Sequence, residues 1–227
     1  MLLALETAND GCSVALYDGR QVVAQHQDDR SREQTRLILP MIDAVLHEQQ
    51  LNIAELKAIA FSRGPGSFSG VRINAAVAQA LAWAHDLPVV PVSTLQALAQ
   101  AAYRLHGLTH VMSVLDARMN EVYSAAYQLD DQGLMQPLTD EQLGAYDQLD
   151  LADQALDFAL VGNGSVLVSQ SEAHQTFPQL KPTSEDIAVL AYATFKAGQA
   201  VSAAQALPVY LRDNAWKKIA EQGSSKH

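Results

Sequence analysis

Residues 2–27, LLALETANDGCSVALYDGRQVVAQHQ, carry two turn signals between three short apolar stretches, and their reading decides the fold. Asn9-Asp10-Gly11 separates the first apolar run, LLALET, from CSVALY, in which Ser13 and Ala15 alternate with Val14 and Leu16. Asp18-Gly19 repeats the signal before QVVAQHQ, because an Asp-Gly pair accepts the positive φ of a tight hairpin turn. The spacing predicts three consecutive strands, mostly antiparallel. A chain built from alternating strand-helix crossovers does not begin this way.

Working outward, Ser31 and Gln34 stand at capping-box spacing, and Leu37, Ile38, Met41, Ile42, Val45 and Leu46 recur at helical intervals. A helix is expected over 32–49, bent at Pro40. KAIAFS reads as a buried strand, RGPGSFSGVRI at 63–73 as a loop, and 71–85 as an alanine-rich helix. Residues 88–92 form another buried strand, and Ser93 caps the helix STLQALAQAAYRLH. This order, β-β-β-α-β-α-β-α, suits a mixed sheet of the ribonuclease-H-like or actin-like kind.

A second pattern begins at His110. HVMSVLDA and EVYSAAY make a hairpin around Met119-Asn120, and FALVG is a strand ending at Gly162-Asn163-Gly164. Thr183 with Asp186 caps a helix that stops at Gly198. Residues 130–157 are polar and weakly patterned, and the final EQGSSKH reads as a frayed tail. The expected division is 1–108, a ribonuclease-H-like lobe, and 109–227, a smaller α/β lobe. No repeat of solenoid period is visible.

The chain has 227 residues, 48% of them hydrophobic, enough to bury a sizeable core. Lys and Arg total 15 against 25 Asp and Glu, so the net charge of -10 repels a phosphate backbone. The single Cys12 excludes an internal disulfide. No charged start followed by a long apolar stretch marks a secretion signal or membrane span, and the cytoplasm is the expected compartment.

Glycines before a helix can present amides to an anion. Yet a P-loop ends in Gly-Lys-Ser/Thr, whereas Gly70 is followed by Val71. A dinucleotide fingerprint has two residues between its second and third glycines, whereas three separate Gly66 from Gly70. A nucleophile elbow centres on serine, and Phe68 occupies that centre. Helix capping and turn formation are the favoured roles of Ser67 and Ser69, with Arg63, Gly64, Pro65, Gly66, Ser67 and Phe68 forming a rigid bend beside a cleft.

His106 and His110 have the spacing of a zinc-binding pair, but Gly107 interrupts the helix between them. Glu6 ends the first strand where an actin-like ATPase uses a carboxylate for a nucleotide-bound metal, but Asn9-Asp10-Gly11-Cys12 is a poor phosphate hairpin. Asp116, Arg118 and Glu121 flank one turn as a charge cluster. No set of nucleophile, base and stabiliser emerges, so no catalytic, cofactor-binding or metal-binding residue is assigned and no cofactor is expected.

LLALETANDGCSVALYDG, LILPMI, AFSRGPGSFSGVRI, PVSTL, LDARMNEVY, GNG and PVYLRDNAWKK together resemble, in order, the bacterial TsaB (YeaZ) family. The resemblance implies a two-lobed ASKHA fold, related to actin and sugar kinases, that has lost its own catalysis. It implies a part in making threonylcarbamoyladenosine on the tRNA adenosine after the anticodon, as partner of the transferase TsaD and the ATPase TsaE, or paired with itself. It places docking on the first two helices, where Leu37, Ile38, Met41, Ile42, Val45, Val71, Arg72, Ala75, Ala78, Gln79 and Ala82 are the candidates. The sequence departs from the family at Glu6 (usually Asp), Ser69 (usually Thr), and Asn74, Ala76 and Ala80 (usually Gly). The opposing reading is a glycoprotease-like peptidase or ATPase of the same superfamily. Direct tRNA binding through Arg63, Arg72, Lys217 and Lys218 is disfavoured by the acidic total, so tRNA contact is at most indirect.

Overall fold

The computed structural model describes residues 1–147, 158–168 and 175–212. The expected tail, Lys217, Lys218 and part of the weakly patterned stretch lie outside these residues. Strands β1 (Leu2–Glu6), β2 (Cys12–Tyr17) and β3 (Val22–Asp28) pair antiparallel, as the two Asp-Gly turns predict. After helix α1 (Gln34–Glu48), β4 (Ala58–Gly64) joins β1 in parallel. Helix α2 (Phe68–Ala84) leads to β5 (Val89–Ser93), parallel to β4, and helix α3 (Thr94–His106) follows. The sheet order is β3-β2-β1-β4-β5, the mixed ribonuclease-H-like arrangement.

The second sheet repeats that order. Strands β6 (His110–Arg118), β7 (Glu121–Leu129) and β8 (Met135–Pro137) pair antiparallel, with β9 (Gln142–Ala145) also on β7. On the other side of β6 lie β10 (Ala159–Val161) and β11 (Thr176–Phe177), both parallel. With β9 set aside, since it shares the outer edge of β7 with β8, the order numbered from β6 is again 3-2-1-4-5, so the molecule is a two-lobed α/β fold of the ASKHA type with two mixed sheets flanked by helices. The short helix α4 (Ser165–Val168) and helix α5 (Ser184–Lys196) complete it.

Both faces of the first sheet are covered. Leu3, Leu5, Val14, Leu16, Ile59 and Phe61 meet α1 and α2 on one face. Leu2, Ala4, Ala58, Ala60 and Val90 meet Ile187, Ala188, Leu190 and Ala191 of α5 on the other. Helix α3 lies between the sheets, placing Ala97 on the first and Leu95, Leu98 and Ala102 on the second. Arg104 of α3 ties it to α5, donating to the buried Asp186 at 2.8 and 2.9 Å.

Several local expectations change. Helix α1 starts at Gln34 and its cap residue Glu33 makes no side-chain cap bond; Arg32 sits at φ +65°, and the Gln34 side chain, through Nε2, donates to the Asn9 carbonyl at 3.1 Å. The capping box anchored on Ser31 therefore does not form. Helix α2 starts at Phe68, earlier than the expected Val71, because Ser67 caps it by accepting from Gly70 N at 3.1 Å. Ser93 caps α3 as expected, and Asp186 reaches back to the Thr183 amide at 2.8 Å. Strands β8 and β9 fall in the stretch that shows no pattern in the sequence.

Candidate functional site

The glycine loop is shaped by the loop after β1. Ser67 N donates to the Ala8 carbonyl at 2.8 Å and the Thr7 hydroxyl donates to the Gly70 carbonyl at 2.8 Å. A Cβ on Gly70 would stand 2.0 Å from the Thr7 carbonyl oxygen, and one on Gly66 2.5 Å from that of Ala8. Close backbone approach is what these glycines supply.

Below that junction, Glu6 is buried at the end of β1. Its Oε1 accepts from Ala8 N at 2.7 Å, Asn9 N at 3.3 Å and Asn9 Nδ2 at 3.2 Å, while Oε2 has no partner. Burial raises the carboxyl to about 7, and the nearby Ser62 hydroxyl with the Ala8 and Asn9 donors offsets only part of that rise. Asn74 of α2 also points inward, donating to the Leu5 and Ser62 carbonyls at 3.1 Å and to Ser62 Oγ at 2.6 Å. This departure from the usual family glycine is thus a core contact, while Ala76 and Ala80 lie on the exposed side of α2.

That inside-outside split corrects the candidate docking residues. Ile38, Met41, Ile42, Val45, Val71, Ala75, Ala78 and Ala82 are all buried against the chain's own core. The periodic apolar stripe of each helix is the face that the first sheet needs. Leu37 is partly buried against the same cluster, and Gln79 donates to the Ala203 carbonyl at 3.1 Å. The outward face of α2 carries Ala76, Ala80 and Trp83, three positions spaced by four and three residues, and Trp83 is 73% exposed. Together with Gln79, Ala84 and Ala204 they line a shallow depression. On α1, Leu39 is exposed at 55%. The signal was present in the sequence as a Trp opposite the Val71, Ala75, Ala78, Ala82 stripe.

A cleft of about 620 Å³ opens between the sheets. Its walls are the loop at Ala8–Asp10, the glycine loop, the turn end of the β6–β7 hairpin and the segment 209–212. Arg63 joins two walls: its side chain donates to Glu141 at 2.9 Å and its carbonyl accepts from Val209 N at 2.8 Å. Arg212 pairs with Glu121 at 2.5 Å and donates to the Ala117 carbonyl at 3.2 Å. The expected cluster of Asp116, Arg118 and Glu121 therefore splits, Asp116 pairing with Arg118 at 2.9 Å. Gly64 and Pro65 are buried at the base of the loop, whereas Phe68 is exposed with the Arg72 guanidinium 3.2 Å from its ring centre. Arg72, offered as a docking residue, belongs to this cleft.

His106 stacks near Phe177 and His110 near Phe158, so the two rings have separate surroundings. Among the described residues no group of three His, Cys, Asp or Glu side chains can hold a metal ion, and no helix is long and apolar enough to cross a membrane.

The family model described as "TsaD: tRNA N6-adenosine threonylcarbamoyltransferase" matches residues 28–220. The chain is 38% identical to the "tRNA threonylcarbamoyladenosine biosynthesis protein TsaB" of Escherichia coli (strain K12), over 96% of this chain and 97% of that one. It is 36% identical to the TsaB protein of Haemophilus influenzae, over 96% of each. The solved structure "YeaZ from Pseudomonas aeruginosa" superposes at a TM-score of 0.85 and 40% identity, covering 92% of this chain and 99% of that one.

Proposed function

The chain belongs to the TsaB (YeaZ) family, and from that premise we propose that it is a noncatalytic subunit in the formation of threonylcarbamoyladenosine on tRNA. It binds a TsaD transferase and works with the TsaE ATPase in the cytoplasm, and a second copy of itself takes the same face when TsaD is absent. The observation that carries this reading is the outward face of α2. A Trp left 73% exposed beside alanines on a helix whose other side is fully packed is what a close-approaching partner helix requires. Large aromatic side chains flanked by small residues are the anchors that dominate interface energies. Glu6, Ser67 and Asn74 are engaged with their own chain, which supports a scaffolding role over a catalytic one.

The test uses purified chain and its own TsaD, with complex formation followed by calorimetry and size exclusion. Trp83→Ala and Ala80→Arg are expected to weaken the complex by at least tenfold, about 1.4 kcal/mol, with unchanged melting temperature. Charged substitutions at Ile38 or Met41 are unsuitable, since both side chains are buried in the core and the chain would unfold. Absence of any complex, or wild-type affinity in both α2 variants, rejects the reading.

A further inference from the structure

We propose that the cleft between the sheets is a preformed binding site for a small organic monoanion with a planar apolar body, held by Arg72. This goes beyond partner docking and does not depend on it, since the outward face of α2 and the cleft use different residues. A cleft of about 620 Å³ has the dimensions of a small-molecule site. It is held open by bonds on both sides: Val209 to the Arg63 carbonyl on the first sheet, Arg212 to Glu121 and Ala117 on the second. A site whose walls are tied in this way binds without first closing, which lowers the ordering cost.

Charge matching defines the ligand. Three arginines line the cleft, and two are paired with carboxylates, Arg118 with Asp116 and Arg212 with Glu121. Arg72 has no acidic partner among the described residues. Its one hydrogen bond is a long 3.4 Å contact to the Phe68 carbonyl, and it is flanked by the rings of Phe68 at 3.2 Å and Tyr210 at 5.1 Å. Over the Phe68 ring and near that of Tyr210, the guanidinium keeps edge donors for an acceptor, and a carboxylate satisfies two of them at once. The rings, with Val71, Leu115 and Tyr123 in the same cleft, offer apolar surface for a flat body.

Arg72 is the lining arginine without an acidic partner among the described residues, and with Asp10 and Asp116 on the same walls the cleft suits no more than one negative charge. A polyphosphate would face Asp10 and Asp116 across the same cleft, without a lysine in the glycine loop to compensate. The probes are therefore sodium benzoate, the neutral benzamide of the same shape, and ATP, each titrated calorimetrically into the full chain. Benzoate is expected to bind saturably and at least about tenfold more tightly than benzamide. Arg72→Met should weaken benzoate by about tenfold or more and leave benzamide unchanged, while Trp83→Ala leaves both unchanged. Tyr210→Ala, at an exposed position, should weaken both, and it keeps the proposal open to refutation if Arg72→Met does not fold. The proposal is overturned if benzoate shows no saturable binding, if benzamide binds as well, or if a folded Arg72→Met matches wild type. It is also overturned if Tyr210→Ala binds both as wild type does, or if ATP binds more tightly than benzoate.

Discussion

The two sheets share one strand order and differ in what lies over them. In the first, β1 and β2 are buried along their whole length, with α1 and α2 on one face and α5 with α3 on the other. In the second, α3 covers one face, but the opposite face has a smaller cluster of Met112, Val114, Val122, Ala126, Phe158, Leu160 and Val168. Among the described residues the only helix contributing to that cluster is the four-residue α4. A shared topology has thus been kept with unequal burial, and α5, from the later half of the chain, packs on the earlier sheet. The proposed division at residue 108 separates the sheets but assigns α5 to 109–227, although its apolar face packs on the first sheet. The lesson concerns function: among the described residues the first sheet carries two long helices, α1 and α2, on one face, and the proposed docking face lies there.

Like-for-like truncations test the inequality. Leu3 and Leu160 are both fully buried, one beneath α1 and α2, the other beneath the thinner cover. Leu3→Ala is expected to cost about 4 kcal/mol and Leu160→Ala about 2, because a thinly covered site collapses more readily around the lost atoms. Denaturant unfolding of both variants measures this, and equal or reversed costs would break the comparison.

The next effect belongs to Glu6, at the end of the central strand of the first sheet. Its carboxyl is raised to about 7 in the folded chain, above its ordinary value of 4.5. The folded state therefore binds the proton more tightly than the unfolded state, and that contribution is complete below pH 4.5 and lost as pH rises through 7. The loss is of order 3 kcal/mol, from the usual conversion of about 1.4 kcal/mol per pH unit. Stability measured from pH 4.5 to 8 should fall less steeply in Glu6→Gln than in wild type. Parallel pH profiles would show that the carboxyl titrates normally.

The legible parts of the fold are those with strong local chemistry. Asp-Gly turns set the first three strands, and Ser93 and the Thr183/Asp186 pair set helix starts that the structure reproduces. FALVG marks β10 in the sequence, but the repeated strand order is invisible in the chain, because β8 and β11 span only three and two residues and leave no periodic trace. Most of the candidate docking residues turn inward for a different reason. Periodicity identifies an apolar face but not what covers it, and on both α1 and α2 the stripe was claimed by the sheet. The cleft was legible only in part: the glycine loop was read as a bend, but Tyr210 and Arg212 reach it from nearly 140 residues away.

The tie between α3 and α5 sharpens the comparison further, since α5 is the element that crosses from one half to the other. Arg104→Ala leaves the fully buried Asp186 without its bidentate partner, though Arg104 is itself partly exposed. The expected cost is about 2 kcal/mol, below the 3–5 typical of fully buried pairs because water reaches the arginine. Arg104→Lys should recover part of it. A cost under about 0.5 kcal/mol, read by thermal unfolding, would mean that α5 is held by its apolar face alone.

The smallest expected change in stability is at the exposed indole of Trp83. Trp83 sits on the side of α2 turned away from Ala75, Ala78 and Ala82, so truncating it removes no atom from the first sheet's core. Trp83→Ala should shift unfolding by no more than about 0.5 kcal/mol, as surface changes usually do. A larger loss would mean that the indole braces the 203–207 segment, whose Ala204 lines the same depression, and that its exposure serves the monomer rather than a partner. An unchanged melt together with weakened TsaD binding separates the two roles, because only a docking residue can be silent in the isolated chain and costly in the complex.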